Sequence, residues 1–299
     1  ARQVPDAVER CAGRGIRGVI IESGGFAETG LQGKPLQEKL SAIARRTGIR
    51  LWGPNCMGLV DCVHRRIFSF MDPQALEQGE FIPGDVSLVV QSGMLSAIFL
   101  IDLMSNATMG VSKVCSLGNK VDVDECDVLE YFLDDPATGV IGLYLESFSG
   151  GRRFLELCRR SAKPIVVLKG GKSRQGAEAA LSHTASLAGN QRVIAGALAQ
   201  VGVHEARDFK QMMDLCRSLA LMKPPARGSG RVAVLTLSGG AGIIATDFVA
   251  EMGLAMADLA ASTKQSLAAL FPPWMPVSNP VDLWPAVERQ ADIGVNVVG

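Results

Sequence analysis

Short apolar runs of strand length alternate along the chain with stretches whose apolar residues recur at helical spacing. Strands are predicted over residues 18–21, 49–52, 86–90, 111–115, 140–145, 165–168 and 232–237. Helices are predicted between them, over 4–14, 36–47, 128–133, 152–161, 190–201 and 210–221. Continuous apolar strands are buried on both faces. Their alternation with amphipathic helices predicts parallel sheets covered by helices on either side, an α/β fold.

Two irregular stretches divide this pattern. Residues 71–84 carry Pro73, Pro83 and Gly84, and Lys223-Pro224-Pro225-Ala226-Arg227-Gly228-Ser229-Gly230 has the composition of a linker. The expected division is 1–75, 81–222 and 228–299. The first segment holds about two strand–helix pairs, and the last is short for a doubly wound domain. A fragment with incomplete outer domains is therefore expected. A weak repeat links the later segments. Val86-Ser87-Leu88-Val89-Val90-Gln91-Ser92-Gly93 and the run from Val232 to Gly240 are each an apolar strand, then Ser-Gly, then a helix rich in small residues.

Composition narrows the function. The formal net charge is zero and 47% of residues are hydrophobic, so the chain has material for a large core and no field for a polyanion. With no basic run or nucleic-acid motif, nucleic acid is not an expected partner. Seven scattered cysteines without a CxxC pair, and no signal peptide, point to reduced thiols in the cytoplasm. Cys56, Cys62 and His64 lack a fourth ligand at a familiar spacing, so no metal site is expected. Residues 86–104 are apolar but interrupted by Gln91-Ser92-Gly93 and Asp102. They predict a strand, turn and helix, not a membrane span.

The candidate chemistry lies at strand ends. A strand that turns through Ser-Gly into a helix leaves backbone N–H groups and the positive end of the helix dipole facing outward, where they bind anions. Ser92-Gly93-Met94 and Ser238-Gly239-Gly240 are two such starts. His183, in Leu181-Ser182-His183-Thr184-Ala185-Ser186-Leu187-Ala188-Gly189, follows the strand that ends in Lys169-Gly170-Gly171. An imidazole there works near neutral pH as base or nucleophile. Glu146 ends another strand. By accepting the Nδ1 hydrogen of His183 it would fix the tautomer and leave Nε2 as the nucleophile. A serine hydrolase using Ser92 and His183 is disfavoured, because Gln91-Ser92-Gly93 lacks the first glycine of G-x-S-x-G.

Ser182-His183-Thr184-Ala185-Ser186-Leu187-Ala188-Gly189 resembles the phosphohistidine loop of the NDP-forming acyl-CoA synthetases, a superfamily that includes ADP-forming acetyl-CoA synthetases and, more distantly, succinyl-CoA synthetase. Gly118 to Glu125, Asp134 to Thr138, Gly53-Pro54-Asn55-Cys56-Met57-Gly58 and Asn279-Pro280-Val281-Asp282-Leu283 resemble further segments of that superfamily, in the same order. One departure is Ala185, where a glycine often follows the His-Thr pair. The resemblance implies part of a Rossmann-like CoA-binding domain, followed by flavodoxin-like parallel-sheet domains of the succinyl-CoA synthetase type.

The resemblance also implies an activity. A carboxylic acid, CoA and ATP would be interconverted with acyl-CoA, ADP and phosphate through a phosphohistidine. His183 would carry the phosphoryl and Glu146 would orient its ring. Ser92, Gly93, Met94, Ser238, Gly239 and Gly240 would bind phosphate, and Gly53, Pro54 and Asn55 would bind CoA. ATP or ADP with Mg would be held by an ATP-grasp domain or subunit not present among these residues, so partial reactions at most are expected of this chain alone. A homo- or hetero-oligomer fits the same picture. The alternative is a regulatory module that senses CoA or acyl-CoA, fused for example to a protein acyltransferase. Trp274, Met275 and Trp284, which flank the Asn-Pro-Val-Asp-Leu motif, are candidates for an acyl site, with core packing an equal explanation. His64 and His204 have no comparable context.

Overall fold

The amphipathic stretch near the start of the chain forms helix α1 (Val4–Gly13), with Pro5 in its first turn, where an N–H has no helical partner. Helix α2 (Lys34–Thr47) stops at Gly48, which takes the left-handed conformation that glycine adopts without strain. These helices cover two parallel strands, β1 (Gly18–Ile20) and β2 (Arg50–Trp52). Val8, Phe26, Leu40, Ile43 and Leu51 close a small core between them. The computed structural model describes residues 1–70, 82–96, 109–173, 175–176, 190–222 and 230–287. These fall into two compact units, Ala1–Lys223 and Pro224–Gly299.

A seven-stranded sheet organises the rest of the first unit. Strands β3 (Gly58–Asp61) and β4 (Arg66–Ser69) form an antiparallel hairpin. They are followed by β5 (Pro83–Val90), β6 (Val111–Ser116), β7 (Val140–Leu145), β8 (Ile165–Lys169) and β9 (His204–Ala206), all mutually parallel. The spatial order is β4-β3-β6-β5-β7-β8-β9. Counted in chain order, the five parallel strands lie 2-1-3-4-5, the flavodoxin-like order. The winding reverses between β5 and β7, and ligands bind beyond the carboxyl ends of the strands at such a reversal.

Side chains alternate across this sheet. Ile141, Leu143, Leu145 and Val167 pack under α3 (Glu125–Asp134) and α4 (Gly151–Arg160), where Phe132 and Phe154 are fully buried. Removing each phenyl ring from water contributes roughly 1.5–3 kcal/mol. Leu198 of α5 (Gln191–Gln200) closes the same face. Val140, Val166 and Leu168 face the other way, against Met212 and Cys216 of α6 (Phe209–Leu221). Helices thus cover both faces, as the alternation predicts. The hairpin β3–β4 joins this sheet through β3, antiparallel to β6. Its apolar runs are too short to be read as strands from sequence.

In the second unit, β10 (Arg231–Val232) pairs with β12 (Ala255–Met256), and β11 (Leu235–Thr236) pairs with β13 (Val281–Asp282). Helices α7 (Gly239–Glu251), α8 (Ala261–Leu270) and α9 (Trp284–Val287) complete it. The single strand expected over 232–237 is therefore two, because the chain changes partner at Ala233-Val234. The Asn279 amide bridges the change, donating to the carbonyls of Val232 and Ala257 at 2.9 Å each and accepting from the Val234 N–H at 2.9 Å. Among the described residues no helix is long and apolar enough to cross a membrane.

Candidate functional site

The carboxyl ends of β5 and β7 carry Gln91-Ser92-Gly93 and Glu146-Ser147. Ser92 opens the helical turn 93–96: its carbonyl accepts from the Ser96 N–H at 3.2 Å, and its hydroxyl lies 3.5 Å from the Leu95 N–H. Gly93 is in the first turn, and Met94 beside it is 71% exposed, so residue 94 presents its side chain to solvent. Glu146 is buried, with its carboxylate Oε1 3.3 Å from the Tyr144 hydroxyl. Burial, then the Glu146 charge, raise the Tyr144 phenol above its ordinary range, so it serves as a hydrogen donor to the carboxylate.

Polar side chains to which the sequence reading gave no role surround Glu146. Gln91 is buried, and its amide oxygen accepts from the backbone N–H groups of Glu146 at 2.8 Å and Ser147 at 3.1 Å. Lys169, at the end of β8, donates to the carbonyl of Glu146 at 2.7 Å and also to that of Gly170. Burial lowers its ammonium below the ordinary lysine value, and the Glu146 carboxylate acts in the opposite sense. Lys120 and Glu125 form an ion pair at 2.9 Å with side chains 4% and 0% exposed. Lys120 also donates to the Ser147 carbonyl at 2.8 Å, and Glu125 accepts from the Ser149 N–H at 2.6 Å. A buried pair of this kind is tolerated because its remaining hydrogen-bonding sites are taken.

The loop expected to bind CoA abuts the Ser92-Gly93 turn. A Cβ on Gly93 would stand 3.4 Å from the Met57 nitrogen and 3.5 Å from the Cys56 carbonyl carbon. Gly53 and Asn55 take positive φ (92° and 58°), which bends the loop sharply at the carboxyl end of β2. Asn119 secures it: its N–H donates to the Pro54 carbonyl at 2.9 Å, its amide nitrogen donates to Glu28 at 2.6 Å and to Gln37 at 2.9 Å, and its amide oxygen accepts from Asn55 at 3.3 Å. Burial pushes the Glu28 carboxyl up. The Asn119 amide and the N–H groups of Phe26 and Gly25 outweigh that and hold it below the usual carboxylate range. Asn119 belongs to a segment marked by resemblance, whereas Glu28 and Gln37 give no signal in the sequence.

His183 lies outside the described residues. The segment that carries it leaves the sheet at Gly170, where a Cβ would stand 2.9 Å from the Tyr144 hydroxyl and 3.5 Å from Glu146 Cγ. The described residues resume at Asn190, whose side chain caps α5. In the second unit, Ser238 caps α7 by accepting from the Ala241 N–H at 3.4 Å, and a Cβ on Gly239 would stand 3.1 Å from Asp282 Oδ2. Of the two residues that follow Ser238, Gly240 has open space around it apart from the Ser238 hydroxyl. Trp274 and Trp284 are exposed, whereas Met275 packs against the core of its unit. His64 is a surface residue bonded to Asp61 at 2.8 Å, and His204 is exposed on β9. Burial pushes the Cys56 and Cys62 thiols up to about 12, which leaves them inert.

The strand order defines a flavodoxin-like domain. Residues 83–219 match the family model described as the succinyl-CoA ligase like flavodoxin domain. The ADP-forming acetate–CoA ligase II of Archaeoglobus fulgidus is 33% identical over 96% of this chain and 42% of its own length. The alpha subunit of the ADP-forming acetate–CoA ligase I of Pyrococcus furiosus is 38% identical over 95% of this chain and 60% of its own. A solved structure of Ca. Korarchaeum cryptofilum dinucleotide forming acetyl-coenzyme A synthetase 1, in complex with phosphate and ADP, superposes with a TM-score of 0.84 at 32% identity, over 94% of this chain and 59% of that one. Residues 83–219 thus carry the succinyl-CoA ligase like flavodoxin domain, and over nearly its whole length the chain is similar to ADP-forming acetate–CoA ligases, of which it spans about half the length.

Proposed function

We propose that this protein is the CoA-binding and phosphohistidine-bearing part of an NDP-forming acid–CoA ligase. One observation carries the reading: at the reversal of a 2-1-3-4-5 sheet, a buried carboxylate (Glu146) and a Ser-Gly helix start (Ser92-Gly93-Met94) stand at the adjacent carboxyl ends of β7 and β5, beside β8, the strand that leads to His183. Phosphate attacks the acyl carbon of an acyl-CoA and CoA thiolate leaves, giving an acyl phosphate. The Nε2 atom of His183 then attacks phosphorus and the carboxylate departs. A nucleoside diphosphate oxygen takes the phosphoryl in turn, and neutral imidazole is restored. Glu146 accepts the Nδ1 hydrogen and stabilises the positive ring as the N–P bond forms. The helix N–H groups hold the phosphoryl oxygens.

Residues 1–75, with Gly53, Pro54 and Asn55, are assigned to the CoA-binding domain, 81–222 to the phosphohistidine domain and 228–299 to a second flavodoxin-like domain, in which Ser238, Gly239 and Gly240 form a further phosphate-binding helix start. The nucleotide, with Mg, is assigned to an ATP-grasp domain or subunit. The name of the Pyrococcus relative, a subunit alpha, supports such a partner. The substrate is a carboxylic acid or its acyl-CoA. Seven free cysteines support a reducing, cytoplasmic setting. The sensor alternative gives no use to the Glu146 crevice. Incubating the complete protein with its nucleotide-binding partner and γ-labelled ATP tests the reading: acid-labile label is expected on the wild type and none on H183N, and an unlabelled wild type overturns it.

A further inference from the structure

Gln91 has no task in this phosphoryl relay, yet both ends of its buried amide are engaged. It is 2% exposed, and a buried amide is retained only where its hydrogen bonds are made. Its Oε1 accepts two adjacent backbone N–H groups, of Glu146 at 2.8 Å and Ser147 at 3.1 Å. Its Nε2 donates to the Ser147 hydroxyl at 3.2 Å, and its own N–H donates to the Tyr144 carbonyl at 3.0 Å. The ladder between β5 and β7 ends one residue earlier, at Val90↔Tyr144, so this side chain continues the pairing where the two backbones part. With the Glu146 carbonyl taken by Lys169, both main-chain polar groups of Glu146 are fixed, and with them the direction of its Cβ. The residue after Gln91 is Ser92, which opens the helix. One amide therefore sets how far the carboxylate stands from the anion-binding helix start.

We propose that Gln91 is a positioning residue that acts through Glu146, holding the carboxylate in register with the Ser92 helix start so that the ring of His183 is oriented for phosphoryl transfer. This role rests on the phosphohistidine reading and deepens it. Methionine at 91 fills the same volume but cannot accept the two N–H groups.

The test is a double-mutant cycle in the complete protein with its nucleotide-binding partner, measuring the single-turnover rate of acid-labile labelling from γ-labelled ATP. Q91M is expected to slow labelling about ten- to hundredfold, the range that a displacement of about 1 Å produces, with the ATP concentration for half-maximal rate changed less than about twofold. In an E146Q background, Q91M is expected to slow labelling no further. A purely structural role would lower both backgrounds by the same factor, and that result overturns the proposal, as does an undiminished rate in Q91M. Should Q91M not fold, Q91N, which keeps the amide but retracts it by one methylene, carries the same cycle, and the same two results overturn the proposal. An unlabelled wild type overturns the phosphohistidine reading and this role together, whereas a labelled wild type with an additive cycle overturns the role alone.

Discussion

Asn119 and Gly118 show how single residues tie the Gly53-Pro54-Asn55 loop to the flavodoxin-like sheet. Gly118 has φ of 59°, and a Cβ there would run into the carbonyl oxygens of Pro54 and Asn55. A left-handed conformation costs an ordinary residue roughly 1–2 kcal/mol, and the backbone contact adds to that. In G118A we expect the Gly53-Pro54-Asn55 turn to shift away from Asn119. Calorimetric titration of the complete protein should show CoA affinity lower by about tenfold, the equivalent of 1.4 kcal/mol. Unchanged affinity would mean that residues 53–55 are not part of the CoA site. At this scale the sequence was a partial guide. The place of Glu146 at the end of a strand was legible because a carboxylate closing an apolar run stands out. The inward turn of Gln91 and Lys169 was not, since nothing in the sequence marks which polar residues at strand ends turn inward, and Lys120 and Glu125 were marked only as part of the segment 118–125, not as a buried pair.

Among the elements, β7 and α6 meet with little room. Gly142 faces α6, and a Cβ on it would stand 2.8 Å from Cys216 Sγ and from Leu88 Cδ2. Each neighbour is fully buried, so neither side chain can move aside into solvent. G142A is expected to destabilise the protein by about 1–3 kcal/mol, the usual effect of an extra methyl in a filled core. A fall in melting temperature reads this directly; an unchanged one would show that α6 can slide. The glycine was visible in the apolar run of β7, but its reason was not, because the helix that demands it lies some seventy positions later. Most helices and the parallel strands of the first unit, β9 (His204–Ala206) excepted, were legible from their pattern of apolar residues. The hairpin β3–β4 was not, because four-residue strands carry too little pattern. Nor was the division of residues 231–236 between two partners, which depends on an asparagine from position 279.

For the molecule as a whole, the sheet is braced at β6 by Lys113 and Asp135, an ion pair at 2.7 Å with both side chains 8% exposed. Burial pushes the Asp135 carboxyl up, but the Lys113 ammonium, the Thr138 hydroxyl and the Ala137 N–H outweigh it and hold it below its ordinary value. A carboxyl whose folded value is depressed stabilises the fold above the unfolded value, about 4, and loses that contribution as pH falls from there through the folded value. D135N leaves Lys113 buried without its partner, so a loss of about 3–5 kcal/mol is expected at neutral pH. The gap in unfolding free energy between wild type and D135N should narrow as the pH drops below about 4. A gap constant from pH 7 to pH 3 would mean that the carboxylate charge does not brace the sheet.

The sequence alone determined the α/β class, most of the strands and helices of the first unit and the Ser-Gly turns, because burial on both faces makes strands continuous apolar runs, burial on one face gives helices a period of 3.6, and glycine marks positions where a side chain cannot fit. Residue types at strand ends also named the candidate chemistry. Tertiary structure decided which strand ends meet. The order 2-1-3-4-5 sets Gln91 of β5 against Glu146 of β7, fifty-five positions apart, and lays the loop at Gly53 over the turn at Gly93. Such pairings arise from hydrogen-bond registry between strands and from side chains that reach across it, and neither leaves a local signature in the order of residues.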